Sequence, residues 1–152
     1  MSAIFLYNNN NILNRIGDGE IIMTDDKFLY RFSKDVLGLD PSIRWVGITD
    51  KTGVLLNVEY REGIKLLLSN EENEEYASNA IKRHKTRVTF ESKLGKMNYA
   101  LGRYEGLIRA TIPINDNYYL LITLDVETKD YDIIIIEKVI PFIEKEKEKF
   151  FS

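Results

Sequence analysis

The chain has 152 residues, 44% hydrophobic and 30% charged, with a net charge of −3 and no cysteine. That is material for one domain around one core, too near neutral for bulk charge to indicate a nucleic-acid or membrane partner. It also excludes a disulfide scaffold, a zinc-thiolate site, an iron–sulfur cluster and a thiol nucleophile. No run of about 18 apolar residues is present to cross a membrane. The start, Met1 to Tyr7, lacks the basic region and long apolar run of a signal peptide, so a cytoplasmic location is expected.

Residues 1–23 read as an N-terminal extension, because Asn8 to Asn11 and Gly17-Asp18-Gly19 break any regular pattern. Residues 24–152 then read as a single domain. Its first helix is expected from Asp25 to Leu37, with Thr24 as cap and Asp25 and Asp26 at the positive end of the helix dipole. Phe28, Leu29, Phe32, Val36 and Leu37 form its apolar stripe. Gly38 and Asp40-Pro41 end it.

Two strands follow, Ile43 to Ile48 and Val54 to Val58, joined by the turn Asp50-Lys51-Thr52-Gly53. Gly53 supplies the positive φ such a corner needs. Ile64 to Leu68 is an apolar connection. Ser69 and Glu72 then make a capping box for a second helix, with Ala77, Ala80, Ile81, His84 and Val88 on one face. Two readings of its end stand side by side: continuation through Phe90 and Leu94 to Gly95, or an extended Val88-Thr89-Phe90.

Three strands are expected over 97–104, 107–114 and 118–125. The last is apolar on both alternating sets and suits a central strand covered on both faces. A final helix is expected from Asp130 to Phe150. Ile133, Ile136, Ile140 and Ile143 form its apolar face, and Pro141 marks a kink or break. The order is α-β-β-α-β-β-β-α: an α+β domain with a five-stranded antiparallel sheet and flanking helices.

Few residues suggest chemistry. His84 is the one histidine and lies on an apolar helix face, so a structural role is expected, with no catalytic residues and no metal or cofactor site. Lys82 to Arg87 is the densest basic run. Arg83 and Arg87 share a helix face, and with Arg103, Tyr104 and the nearby Arg109 they would form an anion-binding patch. The alternative is a solvated face whose arginines pair with Glu105, Glu91 or Glu62.

The hairpin Ile43-Arg44-Trp45-Val46-Gly47-Ile48-Thr49-Asp50-Lys51-Thr52-Gly53 resembles the opening hairpin of roadblock-type domains, and the element order is that of their profilin-like superfamily. Further segments resemble an archaeal, thaumarchaeal-type group. These are Leu39-Asp40-Pro41-Ser42-Ile43-Arg44, Arg61-Glu62-Gly63, Arg83, Arg87, Phe90, Leu94-Gly95, Tyr99, Arg103-Tyr104-Glu105 and Ala110-Thr111-Ile112-Pro113. The resemblance covers residues 24–143. It implies a small regulatory or scaffolding domain, not an enzyme, that dimerises and contacts proteins such as a small GTPase. Pairing would use a strand edge, for which Val54 to Val58 is one candidate, or a helix face. Two other readings remain: a PAS-like anion sensor with a pocket gated by Arg83, Arg87 and Arg103, and weak nucleic-acid binding through Lys82 to Arg87.

Overall fold

The computed structural model describes residues 25–150, together with the backbone of two short strands, β1 (Tyr7–Asn8) and β2 (Asn11–Ile12), which pair antiparallel. Thr24 and the rest of the 1–23 extension lie outside the described residues. Helix α1 (Asp26–Leu37) is capped by Asp25, whose carboxylate accepts the Lys27 amide at 2.8 Å. The cap is thus Asp25, one residue later than expected. Phe28, Leu29, Phe32 and Val36 are buried along the anticipated stripe.

The sheet has five strands: β3 (Ile43–Asp50), β4 (Leu55–Tyr60), β5 (Ala100–Arg103), β6 (Ile108–Asn115) and β7 (Tyr118–Leu124). All pairs are antiparallel, in the order β4-β3-β7-β6-β5. β7 is central and every one of its residues is buried, as its two-sided apolar pattern requires. β3 runs two residues past its expected end because Thr49 and Asp50 pair with Tyr119 and Tyr118. The Asp50 carboxylate then closes the turn, accepting the amides of Thr52 at 2.8 Å and Val54 at 3.2 Å, while Gly53 takes φ +91°. β5 is only half its expected length. The Glu91 carboxylate accepts the Met97 amide at 2.8 Å, which holds that residue out of the ladder.

Helix α2 (Asn70–Val88) carries the expected capping box: Ser69 Oγ accepts the Glu72 amide at 3.1 Å and Glu72 Oε1 accepts the Ser69 amide at 2.8 Å. The helix stops at Val88, and a separate turn, α3 (Glu91–Leu94), precedes Gly95 at φ +87°. Neither sequence reading is complete. The Thr89 hydroxyl donates to the Thr86 carbonyl at 2.7 Å and competes with the helical ladder at the break.

The C-terminal segment is helical but not one regular helix. α4 (Tyr131–Ile134) runs into a π turn over Ile135–Val139, then α5 (Ile140–Glu146) and a 3-10 turn at Lys147–Lys149. Pro141 lacks an amide donor, and the wider turn just before it absorbs the missing bond, so the irregularity lies N-terminal to the proline. The changed winding also shifts the apolar face. Ile135, Val139 and Ile143 are buried, whereas Ile133 and Ile136, expected on that face, are exposed.

The layers follow from strand parity. α1 and the C-terminal helical segment cover one face of the sheet, over Val46, Ile48, Ile108, Ile112, Leu120 and Ile122. α2 covers the other, where Ala77 and Ala80 pack on Trp45 and Leu121. Small residues let α2 approach closely; a Cβ on Gly53 would lie 2.9 Å from the Ser78 Cα. No helix of the described residues is long and apolar enough to cross a membrane.

Candidate functional site

Under α2, the alternation of β6 places Ile108 and Ala110 on the α1 side and Arg109 on the α2 side. Gly102 of β5 and Thr123 of β7 are its cross-strand neighbours. Arg109 is 4% exposed. Its guanidinium carbon lies 3.6 Å from the centre of the Tyr76 ring and 5.4 Å from that of Trp45. Gly102 contributes no side chain, and a Cβ there would be 4.0 Å from the Tyr76 hydroxyl. Trp45 in turn lies over Gly47, where a Cβ would be 2.5 Å from the indole. Gly47 thus makes room for the indole ring, while a side chain at Gly102 would be in ordinary contact with Tyr76.

Among the described residues Arg109 has no acidic partner. The ion pairs among the described residues are Arg44–Asp125, Lys138–Asp40, Lys147–Glu144 and Lys149–Glu146. Its Nη2 is buried without a hydrogen-bond partner. A cation over an aromatic face is worth about 0.5–2 kcal/mol, while a buried, uncompensated charge costs several kcal/mol. Ring faces therefore offset only part of the cost. Burial pulls the Arg109 pKa below its ordinary value, opposed by the phenols of Tyr76 and Tyr104; a guanidinium remains charged regardless. Burial also pushes Tyr76 upward, against the pull of Arg109.

Arg109 lies between two spaces. One is a void of about 20 Å³ with Trp45, Asn73 and Thr123 in its lining, room for about one water. The other is a cleft of about 260 Å³ formed by Leu67, Leu68, Tyr76, Tyr104, Gly106, Leu107 and Arg109. Its walls are leucine side chains and tyrosine rings, and Arg109 is the one charged group among the described residues that line it.

The residues expected to form an anion patch are only partly together. Arg83 lies 5.3 Å from the Tyr76 ring, and Tyr104 stands beside Tyr76 close enough to influence its ionisation. Arg87, one turn further along α2, lines a separate groove of about 420 Å³ with Phe90, Glu91, Leu94, Met97 and Tyr99. Arg103 pairs with Ile108, which puts it on the opposite face of the sheet. There it stacks on Tyr131 at 5.9 Å and donates to the Val126 carbonyl at 3.4 Å. Arg87 lines the groove without Arg83 or Arg103, and none of the three lines the Arg109 cleft, so they do not gate a common pocket. Neither do Arg83, Arg87 and Arg103 form the ion pairs with Glu105, Glu91 or Glu62 that the solvated-face reading anticipates.

Arg109, Tyr76 and Trp45 are the residues that the sequence reading misses as a unit. The available signal is parity: an arginine between Ile108 and Ala110 in a strand covered by helices on both sides must point at one of them. His84 is 5% exposed, with its ring edge-on to Tyr119 at 4.9 Å, and burial lowers its pKa, opposed by Glu91. Among the described residues, no group of three or more His, Asp or Glu side chains is placed to hold a metal.

No family model and no curated protein matches the chain by sequence. Solved structures match its fold. A structure described as MglB with a tetrameric arrangement superposes with a TM-score of 0.67 at 11% identity, covering 82% of this chain and 88% of that one. The gliding protein MglB from Thermus thermophilus gives 0.62 at 10% identity, covering 81% and 85%. A roadblock/LC7 domain from Streptomyces avermitilis gives 0.60 at 9% identity, covering 78% and 93%. The chain has the roadblock/LC7 fold.

Proposed function

We propose that this chain is a non-enzymatic regulatory or scaffolding module that acts as a homodimer joined through the β5 edge of its sheet. The observation that carries the reading is the character of that edge. β5 ends the sheet, and around it Phe90, Leu94 and Leu101 are 57%, 83% and 36% exposed. An apolar strand edge is a template for pairing with another strand. Two copies meeting β5 to β5 about a twofold axis make an isologous contact that covers both edges at once.

The opposite edge, β4, is the strand anticipated from the sequence. It is braced by α1, where Asn57 Nδ2 donates to Ser33 Oγ at 2.9 Å. That support makes β5 the better candidate. The tetrameric arrangement described for an MglB of this fold is consistent with self-association. The sequence resemblance to roadblock-type domains makes a small GTPase the first protein partner to test, and the archaeal-type motifs and a cytoplasmic location belong to the same reading.

Light scattering coupled to size exclusion tests the dimer. Wild type is expected at twice the monomer mass of 17.7 kDa. A Leu94→Lys/Leu101→Lys variant, which places charge on the edge, is expected at the monomer mass with an unchanged circular dichroism spectrum. A wild type that stays monomeric at high protein concentration overturns the proposal.

A further inference from the structure

We propose that the cleft between α2, residues 64–68 and the β5–β6 turn binds a small apolar monocarboxylate, whose carboxylate pairs with Arg109. Three features point there together. Arg109 is a nearly fully buried cation with no acidic partner among the described residues. It lines a cleft whose remaining walls are Leu67, Leu68, Leu107, Gly106 and the rings of Tyr76 and Tyr104. The third is the geometry of the guanidinium. One face is occupied by Tyr76, whose ring centre lies 3.6 Å from the guanidinium carbon, which leaves the guanidinium plane, where its N–H donors lie, as the direction in which a carboxylate pairs with it.

Size and charge narrow the class. At about 260 Å³ the cleft falls below the roughly 300–1,000 Å³ of pockets for drug-sized ligands, so its occupant is small. One buried cation balances one negative charge, and apolar walls disfavour a polyanion such as a nucleotide. A short aliphatic or aryl acid meets both conditions. Release of solvent from leucine and tyrosine surfaces supplies the rest of the attraction. The inference stands apart from self-association, because it rests on the α2 face of the sheet and not on the hydrogen-bonding edge of β5.

The chain has one tryptophan, Trp45, with its ring 5.4 Å from the Arg109 guanidinium carbon, so intrinsic fluorescence reports on the site. Wild-type protein is titrated with octanoate, 1-octanol and inorganic phosphate. The expected result is a saturable change with octanoate alone. Arg109→Met should weaken octanoate binding by about tenfold or more, the effect of losing a charge-assisted hydrogen-bonded pair. Its thermal melt is recorded to establish that it folds. Leu67→Asp, at a position 54% exposed and therefore safe for folding, sets a negative charge at the mouth and should weaken octanoate binding as well. Equal responses to octanoate and octanol, a phosphate response as strong as that of octanoate, or undiminished octanoate binding by Leu67→Asp or by folded Arg109→Met would each overturn the proposal.

Discussion

Gly53→Ala probes how the hairpin is fastened to α2. Gly53, Gly63 and Gly95 all hold positive φ, at +91°, +84° and +87°. Their surroundings differ. A Cβ at Gly63 or Gly95 meets nothing within 4 Å, whereas at Gly53 it lies 2.9 Å from Ser78 Cα, 3.4 Å from Ile81 Cβ and 3.5 Å from the Ala77 carbonyl oxygen. Alanine at Gly53 or Gly63 bears the backbone penalty of an L-residue at positive φ, about 1–2 kcal/mol, whereas Gly95, at ψ 174°, lies in a region essentially closed to other residues and is no matched control. At Gly53 alanine must also push the hairpin off the helix backbone, an overpacking cost of about 1–3 kcal/mol. Gly63→Ala should therefore lose about 1–2 kcal/mol, and Gly53→Ala about 2 kcal/mol more. For a chain of this length that difference is roughly 4–8 °C in melting temperature. Urea unfolding at one fixed protein concentration measures it, since self-association would otherwise shift the midpoints. Equal losses at Gly53 and Gly63 would refute the contact and leave only backbone strain.

Two further outcomes test the framework. Burial would raise the Asp40 pKa, but hydrogen bonds from Lys138 and from the Ser42 hydroxyl and amide outweigh it and hold the carboxyl at about 2, from an ordinary 3.8. A depressed folded-state pKa stabilises above the unfolded value and the effect is lost as pH falls through the folded one. The contribution is thus full above about pH 4 and gone near pH 2. The shift corresponds to about 2.4 kcal/mol at most, and the 48% exposure of Lys138 reduces it to about 1 kcal/mol. The stability gap between wild type and Asp40→Asn should shrink across that window in urea melts; a gap independent of pH would contradict the assignment. Ser69→Ala should cost about 1 kcal/mol by removing one half of the capping box. A cycle with Glu72→Ala should show the two losses to be non-additive, and strict additivity would mean that the two halves act separately.

The framework is legible in the sequence because it is written in short-range signals. The Ser69–Glu72 box, the Asp50-to-Gly53 corner and the doubly apolar Tyr118–Leu124 each report a local requirement, and each is met in the fold. The C-terminal helix departs in phase from its periodic reading because Ile133 and Ile136 satisfy regular helical spacing, while Pro141 forces a wider turn that a fixed period cannot represent. The site is harder for a different reason. Arg83, Arg87, Arg103 and Tyr104 stand out in the sequence by charge density and proximity, yet strand parity sends Arg103 to the other face from Tyr104.

Arg109 stands alone among apolar residues in the chain, so nothing around it announces its burial under α2. Its setting depends on what α2 lays over it and on Gly47, two strands away in the sheet, which leaves room for the Trp45 ring. Those are long-range facts that no window of sequence contains. The same burial makes its chemistry specific: an exposed arginine in a basic run shares its field with solvent and salt. Arg109, sealed between Tyr76 and Trp45, has a restricted set of directions left in which to find an anion. Octanoate and octanol share an apolar tail and differ in charge at the head. A difference in their binding, present with Arg109 and absent with methionine, isolates the interaction of that one buried cation.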